Sequence, residues 1–306
     1  MSSKRQLRNP RRSSDYSIPV NICLVNEKNI QYQPHFSLNM EMSRNNKQYI
    51  ALGSRLSGVP QVITLGVKPN FFDYSPRERA LILSSDIILY PTMNYAQFFT
   101  TMGKRIFPSL ETYIYSDEKI KQTTLFNILC IPHPQTRIYY HLHHDDILRD
   151  FKFPFIAKLP RRSSQGKGIF KINNNNELKE YLELTNVAYI QEYIPHERDL
   201  RVILINYRPL LAYWRQRSSG TFKTNVYQGG IIDFRDIPDN ALSYAKEYAI
   251  KCRFNDVGLD MINADGKWYL IEANMNYGRK ALKLRGMNLK EILKEKLING
   301  EIMDCL

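Results

Sequence analysis

Three oxygen-bearing side chains stand close together late in the sequence: Asp260 in Gly258-Leu259-Asp260-Met261, and Glu272 and Asn274 in Leu270-Ile271-Glu272-Ala273-Asn274. Glu272 and Asn274 alternate with apolar Ile271 and Ala273, so in a strand both project from one face. Two carboxylates and an amide pointing together make a hard-oxygen site of the kind that suits Mg²⁺. Asp260 joins that site only if it lies on the same face. A two-residue Asp265-Gly266 turn would pair residue 260 with 271 and put the carboxylates on opposite faces. A three-residue Ala264-Asp265-Gly266 loop pairs 260 with 270 and sets Asp260 diagonal to Glu272. The expected connection is therefore odd in length, with Gly266 at positive φ in a G1 bulge.

Upstream, Lys158-Leu159-Pro160-Arg161-Arg162-Ser163-Ser164-Gln165-Gly166-Lys167-Gly168-Ile169 places a strand lysine before a basic, Ser- and Gly-containing turn. The Lys158 charge and the N–H groups of Ser164, Gln165 and Gly166 would face a polyphosphate, with Gly168 permitting close approach. The Gly-Lys-Ser/Thr order of a Walker A loop is absent. In Gln191-Glu192-Tyr193-Ile194-Pro195-His196-Glu197-Arg198-Asp199-Leu200-Arg201, a strand end offers main-chain groups to an adenine edge. Asp199 or Glu197 offers a carboxylate to a ribose. Arg215, Lys223 and Asn225 could clamp a phosphoryl group or an oxyanion, and Arg201 adds a further positive charge. Each cluster taken singly also reads as scaffolding: a basic hairpin, a strand–turn–strand with surface ion pairs, or the wet side of a sheet.

The elements that must hold these groups are short. Val20–Val25, Gln61–Val67 and Ile87–Leu89 read as buried strands, and Ser75–Ser84, with Pro76 in its first turn, as a helix. Strand, helix, strand at this spacing predicts a small α/β layer with a parallel sheet, and without a Gly-x-Gly-x-x-Gly run it is not a dinucleotide binder. Ser116 with Asp117 and Glu118 resembles a cap for a helix over Ile120–Leu129 that Pro132 and Pro134 end. Strands follow at Phe155–Leu159, Ile169–Ile172 and Ala188–Glu192, with Asn173–Asn176 as a loop and a helix from Glu177 to Leu184. A third unit has strands at Arg201–Ile205 and Leu210–Trp214, a helix near Asn240–Cys252 and an antiparallel pair around Asp260 and Glu272.

The 306 residues suffice for two or three domains, and 43% hydrophobic with 24% charged residues excludes disorder over most of the chain. Lys and Arg exceed Asp and Glu by 13, so the surface attracts anions. Cys23, Cys130, Cys252 and Cys305 lie far apart, which argues against zinc and disulfides and for a reducing, cytoplasmic compartment. The N-terminal residues 1–14 are a basic arm without an apolar run, and no stretch approaches the length that spans a bilayer. His141-Leu142-His143-His144-Asp145-Asp146 reads as a polar linker opening a helix rather than a metal cluster. Lys167-Gly168-Ile169-Phe170 lacks the second aromatic strand of an RNA-stacking platform, so nucleic acid is not the expected partner.

In this order, the four clusters resemble an ATP-grasp ligase of the RimK type, the glutamate-ligase branch, over about Ile87 to Gly278. The resemblance implies an α/β fold in which two α+β lobes close on ATP behind an N-terminal parallel-sheet domain, divided at 15–112, 113–192 and 193–306. It places Lys158, with Ser164, Gln165, Gly166 and Gly168, on the nucleotide phosphates, Gln191, Glu192, Tyr193 and Ile194 around adenine, and Asp199 near ribose. Lys223 and Asn225 fall near the γ-phosphate, and Asp260, Glu272 and Asn274 on two Mg²⁺ ions, with Mn²⁺ as the alternative. Lys158, Lys223, Arg201 and Arg215 would neutralise the transferred charge. The implied reaction joins a carboxylate to an amine through an acylphosphate and releases ADP. The basic surface favours glutamate or an acidic peptide as substrate, and self-association into a homo-oligomer is compatible with the sequence. A hydroxyl kinase on the same scaffold is the rival enzyme, and a basic nucleic-acid binder the rival of another class. Three departures stand out: the Glu192-to-Asp199 interval is shorter than the family's, Lys223 replaces the usual Arg, and Asn276-Tyr277-Gly278 replaces Ser-Pro-Gly near the expected acceptor pocket.

Overall fold

The computed structural model describes residues 48–160, 168–216 and 231–302. The chain enters through β1 (Tyr49–Ala51), β2 (Val62–Thr64), α1 (Pro76–Ser84), β3 (Ile87–Leu89), α2 (Met93–Thr101) and β4 (Arg105–Phe107). Ser75 caps α1 by accepting from the Glu78 N–H, Glu78 returns the bond, and Pro76 occupies the first turn where its missing N–H costs nothing. The four strands form a parallel sheet ordered β2-β1-β3-β4. The predicted Val20–Val25 strand lies outside the described residues, and the strand expected over Gln61–Val67 is confined to β2.

Two helices follow, α3 (Leu110–Tyr115) and α4 (Lys119–Ile128). Ser116 ends α3 instead of capping α4, whose N-cap is Glu118 without a side-chain bond. Asp117 reverses the chain there at φ 66° and donates its N–H to the Ala273 carbonyl at 3.1 Å, so a distant strand anchors the turn that a local cap was expected to make.

Next come β5 (Thr136–Tyr140), α5 (Ile147–Asp150), β6 (Phe155–Lys158), β7 (Ile169–Ile172), α6 (Asn175–Glu183) and β8 (Val187–Glu192). Their antiparallel sheet runs β5-β8-β6-β7. The Asn173–Asn176 tract is not a loop throughout: the Asn174 side chain accepts the Glu177 N–H and starts α6 at Asn175.

The remaining elements are β9 (Arg198–Ile205), β10 (Arg208–Gln216), β11 (Ile231–Asp233), α7 (Asp239–Cys252), β12 (Asp256–Ala264), β13 (Lys267–Asn274), α8 (Lys280–Leu284) and α9 (Leu289–Ile298). A third sheet, antiparallel, has the order β11-β10-β9-β12-β13. Leu200, Val202, Leu204, Val257, Leu259 and Met261 bury one of its faces among Ala241, Ala245 and Tyr248 of α7. Helices α8 and α9 leave this sheet and close the first one, where Leu282, Leu289, Leu293 and Leu297 share a core with Ala51, Val62, Leu89 and Phe107. The first and last described elements are thus packed together, which the apolar strands β1 and β3 require because both of their faces are buried.

The hairpin β12–β13 corrects the expected loop. Its turn is the two-residue Asp265-Gly266, both at positive φ (52° and 78°), and Ala264 pairs with Lys267. Met261 then pairs with Leu270 but Asp260 with Glu272, so Ile271 is an extra residue on β13. That bulge shifts the register by one and returns both carboxylates to the same face as a direct cross-strand pair. The odd residue needed for convergence is in the strand, not in the loop.

Gly258 lies under the turn that leaves β13, and a Cβ built on it would sit 2.4 Å from the Tyr277 Cβ. Gly258→Ala should therefore cost about 1–3 kcal/mol of stability through overpacking. A lowered urea midpoint at unchanged m-value checks this. Among the described residues no helix is long and apolar enough to cross a membrane.

Candidate active site

The third sheet writes its charges in register. Tyr213 pairs with Arg201, Arg201 with Asp260 and Asp260 with Glu272, which carries one row of neighbours from β10 to β13. Arg215 pairs with Asp199 one row to one side, and Gly258 with Asn274 one row to the other. Because paired residues share a face and residues two apart along a strand do as well, Arg201, Arg215, Asp199, Asp260, Glu272 and Asn274 all emerge opposite α7.

Asp260 is 4% exposed and accepts from Arg201 through two parallel bonds, Nε to Oδ1 at 2.6 Å and Nη2 to Oδ2 at 2.7 Å. Arg215 reaches the same Oδ2 at 2.9 Å and gives its Nε–H to Asp199 Oδ1 at 2.5 Å. Burial alone would raise the Asp260 carboxyl, but Arg201 and Arg215 outweigh it and hold it ionised below the usual range. Asp199 is buried beneath Arg215 while Glu197 is exposed, so of the two carboxylates open for a ribose Glu197 is the solvent-facing one.

Lys158 ends β6 with its side chain buried, 5.5 Å from the Tyr189 ring centroid. Burial pushes its ammonium down to about 8; Glu272 and Asp260 work against the shift and Lys119 adds to it. Sequence reasoning missed Lys119. It opens α4, is 8% exposed, and its Nζ lies 3.7 Å from Glu272 Oε1. Gln122, one turn along, explains the placement: it donates to the Ala273 carbonyl at 2.7 Å and accepts the Ala273 N–H at 2.9 Å. On the other side of α4, Thr123 bonds the Tyr189 hydroxyl at 2.7 Å, so one helix ties the second sheet to the third. The signal in the sequence was a lysine in the first helical turn after Ser116-Asp117, where helix N-termini favour acids rather than a cation.

Gly168 closes the β6–β7 hairpin at φ 74°, its carbonyl accepting the Leu159 N–H at 2.8 Å. Gln191 is buried and donates to Thr136 Oγ1 at 2.8 Å, the Glu192 N–H goes to the Gln135 carbonyl at 2.8 Å, and Tyr193 and Ile194 leave the strand half-buried. Ser164, Gln165 and Gly166 lie outside the described residues, as do Lys223 and Asn225.

Two carboxylates and an amide on one face, with no sulfur or imidazole among them, are by type a hard-oxygen set suited to a divalent cation such as Mg²⁺, with both Asp260 oxygens taken up by Arg201 and Arg215 in this structure. Lys119, Lys158, Arg201 and Arg215 set four positive charges among the three carboxylates Asp199, Asp260 and Glu272.

Comparison with known proteins agrees with this chemistry. The RimK-like ATP-grasp domain profile matches residues 116–297. A coenzyme gamma-F420-2:alpha-L-glutamate ligase of Methanococcus maripaludis is 30% identical over 203 residues, covering 62% of this chain and 69% of its own. The ATP-grasp ligase PsnB complexed with minimal precursor, Mg and ADP superposes with TM-score 0.60 at 12% identity over 82% of this chain and 97% of that one. A RimK domain protein from Sphaerobacter thermophilus gives TM-score 0.57 at 11% identity over 81% and 98%. At those identities the two structures bear on the fold, whereas the match over more than half the sequence bears on descent. The chain belongs to the RimK-like ATP-grasp family of carboxylate–amine ligases.

Proposed function

We propose that the protein uses ATP and Mg²⁺ to join the carboxylate of glutamate or an acidic peptide to an amine, through an acylphosphate and with release of ADP and phosphate. The observation that carries this reading is the row Arg201–Asp260–Glu272 with Lys119 and Lys158 against its end. In the first step a substrate carboxylate oxygen bonds to the γ-phosphorus as the bond to the β–γ bridging oxygen breaks. In the second, the amine nitrogen bonds to the acyl carbon, phosphate leaves and the nitrogen loses a proton. Lys158 and Lys119 hold the phosphates and offset their charge. Arg201 and Arg215, held in place by Asp260 and Asp199, present fixed positive charge to the carboxylate and the transferred group. Asp260, Glu272 and Asn274 would hold Mg²⁺, which when bound supplies Lewis-acid neutralisation of the phosphate oxygens. Lys223 and Asn225 are assigned to the γ-phosphate, Gln191 to Ile194 to adenine, and Asp199 or Glu197 to the ribose.

Hydroxylamine tests the reading because it intercepts an acylphosphate. With L-glutamate or a glutamate-ended peptide, ATP and Mg²⁺, hydroxamate should accumulate in step with ADP. AMP and pyrophosphate as products would overturn the mechanism, and a stable phosphorylated hydroxyl product formed without any amine would make the protein a kinase.

A further inference from the structure

The turn after β13 is tied to the first sheet by a buried network that none of the chemistry above uses. Tyr277 donates its hydroxyl to Asp256 Oδ1 at 2.9 Å. Asp256 opens β12 and its side chain is fully buried; its Oδ2 accepts from Arg55 Nη1 at 2.7 Å and from the Tyr90 hydroxyl at 3.1 Å. Arg55 follows β1 and Tyr90 follows β3, so both stand at the C-terminal ends of adjacent parallel strands. The Arg55 guanidinium carbon is 5.1 Å from the Tyr90 ring centroid and 5.8 Å from that of Tyr277. The two loops are themselves bonded: Gly53 donates to the Tyr90 carbonyl at 2.8 Å, an approach so close that a Cβ on Gly53 would meet the same oxygen at 2.8 Å.

A buried ion pair capped by two phenols contributes little net stability over an apolar core of the same shape, so its value here is geometric. The geometry leads into the site. The Tyr277 carbonyl accepts from Arg201 Nη1 at 3.0 Å, which gives the Arg201 guanidinium a third fixed point beside its two bonds to Asp260. Ring packing of Tyr277 on Gly258 and its hydroxyl bond to Asp256 do for this turn what a proline's fixed φ would otherwise do.

We propose that Arg55, Asp256 and Tyr277 form a positioning unit through which the N-terminal sheet sets the Tyr277 carbonyl and, through it, the orientation of Arg201 toward the carboxylate of the acidic substrate. This rests on the ligase reading for the substrate and on the geometry alone for Arg201. None of the three is a catalytic residue, since the unit reaches the substrate only through the Tyr277 carbonyl and Arg201.

Tyr277→Phe keeps the ring on Gly258 and removes only the O–H. The loss of one such bond corresponds to about a tenfold effect. In ADP release driven by L-glutamate, KM for glutamate should rise about tenfold, with kcat and the calorimetric affinity for AMPPNP each within about twofold. The NMR signal of the Arg201 Nε–H, assigned by its loss in Arg201→Lys, should exchange with water about tenfold faster. Arg55→Met would strand a buried carboxylate, so the paired variant Arg55→Met/Asp256→Asn carries the second arm and should reproduce both changes. Unaltered Arg201 exchange in Tyr277→Phe and in the paired variant overturns the proposal, as does an unaltered glutamate KM. If wild-type protein binds AMPPNP but shows no glutamate-dependent ADP release, the glutamate assignment fails and the exchange measurement still decides the positioning unit.

Discussion

Glu272→Gln removes ADP and hydroxamate formation together, by about a hundredfold or more, while the protein stays folded. Glu272 stands directly across from Asp260, and its Oε1 lies 3.7 Å from the Lys119 ammonium. Glutamine keeps its shape and the β13 register but gives up a full charge at the point where the ion and the phosphates must share one field. Loss of an outer-shell partner alone costs a metal site about 10–100-fold, and a first-contact oxygen costs more. Raising Mg²⁺ should recover part of the activity of the variant and none of that lost in Asp260→Asn, where Arg201 and Arg215 also lose their anchor. Steady-state ADP release against Mg²⁺ concentration, with circular dichroism as the folding control, decides it; full activity in Glu272→Gln would remove the metal assignment.

Lys158→Met weakens AMPPNP binding by about ten- to a hundredfold, the range of one charge-assisted hydrogen bond of about 1.5–3 kcal/mol, and leaves adenosine binding within about twofold. The contrast isolates the phosphates, because adenosine offers the adenine and ribose contacts without them. A pH arm sharpens the test. Burial pushes the Lys158 ammonium down to about 8, so the free protein carries that charge below about pH 8 and loses it as pH rises through that value. A polyanion binds the charged form better, hence wild-type affinity falls above about pH 8 with proton uptake on binding. Lys158→Met should be flat over the same window. Calorimetry in two buffers of different ionisation enthalpy measures both. Equal AMPPNP affinity in wild type and variant would take Lys158 out of the site.

The residue types and their short-range spacing were enough to mark most of this face. Alternation placed Glu272 and Asn274 together because strand periodicity is a property of two neighbouring residues, and Ser75, Pro76 and Glu78 announced α1 because a helix cap is closed within one turn. Positive φ at Gly266 was legible for the same reason. Ser116, by contrast, was read as a cap from its neighbours alone, and the bond that settles the turn comes from Ala273.

Other features were decided by contacts that no local pattern encodes. Lys119 becomes a phosphate candidate only because Gln122 grips Ala273, 151 positions away, and sets the first turn of α4 beside Glu272. The loop expected to align Asp260 with Glu272 proved too short by one residue, and a bulge at Ile271 made up the difference. Asp260 stands between two arginines because β9 is inserted between β10 and β12, an order of strands that short-range periodicity does not specify. Composition and spacing thus determined which groups can do the chemistry and which share a face within one strand, since both follow from covalent geometry and side-chain type. The tertiary structure alone decided which strands are neighbours, where the register slips and which charge meets which, because those depend on burying apolar faces that lie far apart along the chain.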